Sequence, residues 1–225
     1  MKITYLGHAS LAIEVAGKTI IVDPFISENE LAKNIDIQSL RADYILITHA
    51  HFDHVADVEL IAKRTNAILI SNYEIVMHYK EKGLKGHPMN HGGSWQFDFG
   101  KVTYTNAIHT SSFADGTYGG HPGGFILETT EGTVYIAGDT ALTYDMKLIP
   151  LKAKLDLAIL PIGDNFTMGM EDAVLASDFV ECNKVLGYHF DTFGYIKIDH
   201  QKAKDAFAVK NKELILLDIG AFMNV

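Results

Sequence analysis

The sequence predicts an α/β (α+β) fold in which two mixed β-sheets lie face to face and helices cover their outer sides, with residues 1–225 forming one domain. Two observations carry this. Strand-like apolar runs joined by tight turns open the chain, strand–helix alternation follows, and the same succession repeats in the second half; alternation of this kind builds parallel sheet with helices on its faces. The chain is also long enough for one substantial core, with 225 residues, 48% of them hydrophobic and 21% charged. No solenoid-period repeat, linker or low-complexity tract interrupts it.

Residues 2–6, 11–15 and 19–22 read as the first strands. Gly7-His8-Ala9-Ser10 joins the first pair and Ala16-Gly17-Lys18 supplies a hairpin turn. Asp23-Pro24 ends the third strand, because proline cannot continue a central ladder. Residues 26–40 read as a polar loop with some helix. The short apolar run 44–47 reads as a buried strand, 55–64 as helix, 67–71 as strand and 73–82 as a second helix closed by Gly83. Strands resume at 95–99 and 102–108 with Gly100-Lys101 at the turn. Residues 110–124 hold five glycines and read as a long functional loop. A hairpin follows, 124–129 and 133–137 around Glu131-Gly132. Residues 142–151 read as helix and 156–161 as a buried strand. Residues 170–180 form an amphipathic helix with Ala173, Ala176, Phe179 and Val180 on one face. A strand at 185–188, a helix capped by Asp199 and running to 209, and a strand at 213–218 complete the chain.

The chemistry concentrates at His49-Ala50-His51-Phe52-Asp53-His54, four ligand-type side chains within six residues, between a buried strand and a helix start. That junction is a rigid mount for a site. His49 and His51 are two apart and in extended backbone point the same way. Paired imidazoles suit zinc or a similar divalent ion, Asp53 adds a hard anionic oxygen and His54 a third nitrogen. Desolvating such a group together calls for a cation. Three further positions stand just past strand ends: His109, Asp139 in Ala-Gly-Asp-Thr, and His189 in Gly-Tyr-His-Phe-Asp-Thr-Phe.

Charge and composition narrow the function classes. The net charge of −9, from 28 acids and 19 bases, argues against long nucleic acids as partners. A small anionic substrate stays compatible, because bound divalent ions dominate a local field. The single cysteine, Cys182, permits no intrachain disulfide. The first residues enter a strand pattern with no basic-then-apolar signal, and no apolar run approaches about 20 residues, so the expectation is a cytoplasmic protein without a membrane span.

With these residues in view, the chain resembles the metallo-β-lactamase superfamily over essentially its whole length. The carriers are the 49–54 cluster followed in order by His109, Asp139 and His189, and Asp23 at an early strand end. Gly7-His8-Ala9, Phe166-Thr167-Met168 and His189-Phe190-Asp191-Thr192-Phe193 resemble a branch of small metal-dependent hydrolases near the L-ascorbate-6-phosphate lactonase-like and N-acyl-phosphatidylethanolamine phospholipase D group. The resemblance implies a four-layer αββα sandwich and a dinuclear centre at one sheet edge. It implies that His49, His51 and His109 hold one ion, that Asp53, His54 and His189 hold the other, and that Asp139 bridges. Asp23 is expected to fix a ligand histidine through its free ring nitrogen. The two divalent ions, Zn2+ first with Mn2+, Fe2+ or Ni2+ as alternatives, are expected to activate a bridging water, with Asp53 orienting it. His8 is expected at the centre with Asp53 as a catalytic residue, and Thr167, Met168 and Thr192 along a substrate pocket.

The resulting expectation is a metal-dependent hydrolase acting through a metal-bridging hydroxide on a small, anionic ester, lactone or phosphodiester. Thioesterase and β-lactamase activities belong to the same fold, and symmetric homo-oligomers are common in it. Two other classes compete: a metal-dependent oxidoreductase or oxygenase of the same fold, and a non-catalytic metal-binding protein. An acidic residue in place of His51 and a flavin domain mark the di-iron flavoproteins, and neither occurs here. A complete ligand set argues against the non-catalytic reading, since unused buried ligands cost stability.

Overall fold

A computed structural model describes residues 1–225 of the chain. The first three apolar runs form an antiparallel meander: β1 (Lys2–Gly7), β2 (Ser10–Val15) and β3 (Lys18–Val22). Parallel strands then extend this sheet: β4 (Tyr44–Leu46), β5 (Ile68–Asn72) and β6 (Gly86–Met89). The crossovers are the helices α1 (Phe52–Val55), α2 (Val58–Thr65) and α3 (Tyr73–Glu81). The second half repeats the scheme. The antiparallel strands β7 (Ser94–Phe97), β8 (Gly100–Asn106), β9 (Gly123–Thr129) and β10 (Gly132–Ile136) come first. The parallel strands β11 (Leu157–Pro161), β12 (Lys184–Tyr188) and β13 (Glu213–Ile215) follow, with α4 (Met170–Phe179) and α5 (His200–Ala208) as crossovers. The last strand, β14 (Phe222–Asn224), returns to pair with β1, giving two seven-stranded sheets.

Side-chain alternation sorts the apolar residues into three layers. Ile3, Leu11, Ile13, Leu46, Val134, Ile136, Ile159 and Leu186 face inward and fill the space between the sheets. Their neighbours in sequence face outward: Ile45 and Leu69 against α2 and α3, and Tyr135, Ala158 and Leu160 against α4 and α5. Strands buried on both faces read as unbroken apolar runs, as 44–47 and 157–161 do. The result is an αββα sandwich.

Five elements differ from the sequence expectation. The helix expected over 55–64 starts only at Val58, as α2, and the separate turn α1 precedes it, because Asp57 turns its carboxylate to the backbone N–H groups of Ile26 and Ser27 and to the Ser27 hydroxyl, while its own N–H bonds the Pro24 carbonyl. The β7–β8 turn is Asp98-Phe99 and not Gly100-Lys101; Gly100 opens β8 with φ of +150°. Residues 142–151 form only a 3-10 turn at Tyr144–Leu148, just ahead of Pro150. The strands β6 and β14 carry no alternating apolar signal and form because a neighbour offers its edge; Pro88 in β6 is tolerated at such an edge.

No helix is long and apolar enough to cross a membrane. Every strand that feeds the cluster ends on the same side, so His8, Asp23, His49, His109, Asp139 and His189 all follow the carboxyl ends of their strands, the edge where open α/β sheets build their sites. Since Leu127 is fully buried between the sheets, Leu127→Ala is expected to cost about 2–5 kcal/mol, whereas Leu175→Ala on the half-exposed side of α4 is expected to cost about 1 kcal/mol or less. Urea unfolding midpoints of the two variants measure the difference.

Candidate metal centre

The centre is organised from Asp23. It is fully buried and sits in the left-handed region at φ 42°, turning the chain sharply after β3. Its Oδ1 accepts from the Thr48 N–H (2.8 Å) and its Oδ2 from the Thr48 hydroxyl (2.6 Å) and from His54 Nδ1 (2.8 Å). With its proton committed to Asp23, the Thr48 oxygen receives His49 Nδ1–H at 3.0 Å. Both imidazoles are thereby fixed with Nε2 turned to the cleft. His51 is turned the other way: its Nε2 lies 3.2 Å from the Thr110 hydroxyl, and its Nδ1 faces His49 Nε2 at 2.9 Å.

Ligand-type atoms of His49, His51 and His109 lie within 4.8 Å of one another. The same holds for His49, His54 and Asp139, and for His8, Asp53, His54 and His189. Asp139 is the common centre. Its Oδ2 is 3.0 Å from His189 Nε2, 3.4 Å from His54 Nε2, 3.6 Å from His109 Nε2 and 3.9 Å from His49 Nε2. Gly138 makes this aim possible: it takes φ of +69°, and a Cβ there would lie 2.5 Å from the Gly123 carbonyl oxygen.

His8 joins the cluster from the end of β1 in the first sheet. Its Nε2 is 2.9 Å from Asp53 Oδ2 and its Nδ1 is 3.0 Å from the Thr192 hydroxyl. The His189 N–H donates to the His8 carbonyl at 2.8 Å, and both residues take left-handed backbone, φ 54° and 57°. This bond clips the end of β1 to the end of β12. Burial lowers the His8 ring to about 4, helped by the neighbouring His189. A neutral His8 has one proton, and the Asp53 carboxylate can only accept, so Nε2–H donates to Asp53 and Nδ1 accepts from Thr192.

The charges are strongly coupled. Burial opposes charge on His54, yet the carboxylates of Asp139 and Asp23 outweigh it and hold the ring well above its usual value. Burial alone would raise Asp139; His189 and His54 reverse this and hold it well below the usual carboxylate range. Burial likewise opposes ionisation of Asp53, and the His8 hydrogen bond with the His54 charge keeps it ionised. Burial lowers His49, His51 and His109, leaving them neutral as a ligand must be.

The donor set fits a divalent metal. His54 Nε2, Asp139 Oδ1 and both ring nitrogens of His189 are buried without a hydrogen-bond partner. Such orphaned atoms are costly unless something in the site satisfies them. Imidazole nitrogens with carboxylate oxygens suit zinc and its first-row neighbours.

Of the expected pocket residues, Thr192 lies at the centre, on His8, but Thr167 and Met168 do not line a cavity there. Met168 is buried in the core beneath α4, and the Thr167 hydroxyl bonds back to the Met168 carbonyl. Phe166, their neighbour, is the residue that faces the cleft beside Asp53. The 110–124 loop is tied down: the Ala50 N–H donates to the Ser111 hydroxyl, which donates to the Gly119 carbonyl, and Asn72 Nδ2 donates to the carbonyls of Gly119 and His121. His121 packs near Tyr118 and His91 and belongs to none of the ligand groups. Thr48, Thr110, Phe25 and Phe193 were not foreseen as site residues. Thr48 beside His49, Thr110 beside His109 and Phe193 beside Thr192 each adjoin an expected site residue, whereas Phe25 does not.

Two outcomes follow from this geometry. Asp23→Asn, which cannot accept from both Thr48 and His54 with the same charge, is expected to weaken metal binding about 10–100-fold while the chain stays folded; titration with a metal-competing dye measures it. Because the raised His54 carries a proton near neutrality, metal uptake is expected to release protons and to strengthen as pH rises from about 6 to 8. Calorimetry in buffers of different ionisation enthalpy reads the proton count, and an uptake independent of both pH and buffer would contradict the arrangement.

Comparison with known proteins identifies the family. The family model described as "Beta-lactamase superfamily domain" matches residues 2–189. A protein of Flavobacterium johnsoniae named "UPF0173 metal-dependent hydrolase" is 69% identical over 220 residues, 98% of each chain. The Bacillus subtilis "UPF0173 metal-dependent hydrolase YtkL" is 46% identical over 92% of each. Among solved structures, Igni18, described as a novel metallo hydrolase from the archaeon Ignicoccus hospitalis, superposes with a TM-score of 0.90 at 33% identity, covering 100% of this chain and 97% of its own. The chain therefore belongs to the β-lactamase superfamily, within its UPF0173 group of metal-dependent hydrolases.

Proposed function

We propose that the protein hydrolyses a small ester, lactone or phosphodiester at a centre of two divalent ions, zinc first among the candidates. The observation that carries this is the convergence of four imidazoles on Asp139 Oδ2 within 3.0–3.9 Å, beside buried ring and carboxylate atoms that have no other partner. His49, His51 and His109 would hold one ion and Asp53, His54 and His189 the other, with Asp139 between them. When bound, the ions supply Lewis acidity toward the reacting carbonyl or phosphoryl oxygen and lower the pKa of a coordinated water toward neutrality. The resemblance of 166–168 and 189–193 to the ascorbate-6-phosphate lactonase-like branch supports a lactone among the candidate substrates.

The side chains divide the remaining work. Asp53 is ionised, a quarter exposed, and stands at the boundary between the buried ligands and the cleft. It is the group placed to orient the attacking water, take its proton and return it to the leaving group. His8 holds the Asp53 carboxylate in place through Nε2–H, and Thr192 fixes the His8 ring in that tautomer. Asp23 and Thr48 keep His49 and His54 aimed, so the ligand rings need no rearrangement during reaction.

The test is turnover of a panel of esters, lactones and phosphodiesters by protein stripped with chelator and reloaded with a single metal. Activity that vanishes on stripping and returns on loading is expected; turnover of no panel member by loaded protein would contradict the proposal. Asp53→Ala is expected to reduce kcat about 100-fold or more while lowering metal content far less. Equal losses in both would remove its separate role in proton transfer.

A further inference from the structure

We propose that the cleft beside Asp53 is an aromatic-walled pocket for an apolar group of the substrate, an aryl or extended acyl chain, so that the reacting ester or lactone carries a hydrophobic tail. This rests on the hydrolase reading above and specifies its substrate class.

The cleft is a broad, open depression of about 630 Å³ walled by Phe52, Phe166, Phe193 and Tyr195, with Asp53 and Thr192 at its inner end. Asp53 is its only charged lining residue, and neither lysine nor arginine reaches it. A phosphate or carboxylate held between the rings, away from the ions, would find no cationic side chain to pair with. The rings are left in solvent: Phe52 and Phe166 are each 50% exposed and Tyr195 is 78% exposed. A cluster of exposed aromatics at the mouth of a polar centre marks a binding surface.

The walls are also held ready. Phe166 and Tyr195 meet edge to face at 6.2 Å, and Phe25 stands behind Phe52 at 5.9 Å and Phe193 at 6.2 Å. The turn bearing Phe166 passes through two successive left-handed residues, Asp164 and Asn165, and is closed by the Asp164 N–H to the Met168 carbonyl and the Met168 N–H to the Thr140 carbonyl. The loop bearing Phe193 and Tyr195 is closed by Asp191, whose N–H bonds the Ile196 carbonyl and whose carboxylate accepts from the Ile198 N–H (3.0 Å) and His200 Nε2 (2.7 Å). Hydrogen bonds that fix exposed rings around a cavity lower the ordering cost of binding an apolar guest. Because Asp53 belongs to both the cleft and the metal cluster, a group lodged between the rings is tethered within reach of the reacting atoms.

The test uses metal-loaded, full-length protein. Titration calorimetry compares phenylacetate with acetate, which share a carboxylate and differ in the aryl group; kcat/KM is measured for esters of one alcohol with acyl chains from acetyl to octanoyl. Phenylacetate is expected to bind about tenfold or more tightly than acetate, and kcat/KM to rise at least comparably along the series. Both preferences are expected to fall in the Phe166→Ala/Tyr195→Ala double variant with metal content unchanged. Equal affinity of the wild-type protein for the two carboxylates overturns the proposal. So does a preference that survives in the double variant, or a dimer in sedimentation that the double variant dissociates, which would make these rings a contact between copies. A retained phenylacetate preference with no ester turned over leaves the pocket standing and counts against the hydrolase reading instead.

Discussion

The buried carboxylate of Asp23 is the constraint on which the centre depends. A fully buried carboxylate is tolerated only when its oxygens are satisfied, and here the donors are Thr48 and His54, from the turn after β4 and from α1. That requirement fixes the path of the chain between β3 and α1, sets the tautomer of His49 and the ring orientation of His54, and aims both at Asp139. The Ser10 hydroxyl, bonded to the Asp23 carbonyl, ties the same point to β2. One acid thus couples the meander that opens the first sheet to the ligands at its edge.

The second sheet contributes the complementary half. Its strands deliver His109, Asp139 and His189, and the bond from the His189 N–H to the His8 carbonyl locks the two sheet edges together. The sandwich core carries no site chemistry, but its alternation sets which strand ends come side by side. Burial of the carboxylates and repulsion between Asp53 and Asp139 are the opposing force, and Asp139 and Asp23 together hold the His54 ring well above its usual value, a demand for positive charge. A divalent ion meets that demand more fully than a proton, since it also satisfies the orphaned atoms of His189 and Asp139.

Much of this was legible in the sequence because it is local. Residues 49–54 state their ligand types within one short stretch of chain, and apolar runs such as 157–161 announce buried strands without reference to anything distant. What escaped depends on partners far along the chain. The contact between His8 and Thr192 spans 184 positions. The break between α1 and α2 exists because Asp57 bonds the 26–27 backbone. Met168 and Phe166 stand two apart in one turn, yet backbone strain at Asp164 and Asn165 sends Met168 into the core and Phe166 to the cleft, a division that composition alone does not reveal. The strands β6 and β14 have weak intrinsic signals and exist by pairing with stronger neighbours.

The central claim is that the clustered histidines and aspartates assemble a two-ion centre. Elemental analysis of protein purified without chelator or affinity tag tests it most directly. About two divalent ions per chain are expected, with fewer in His51→Ala and in His189→Ala, which remove one ligand from each half of the site. Protein that carries no metal and takes none up on titration would contradict it, and the proposed hydrolysis would fall with the centre that supports it.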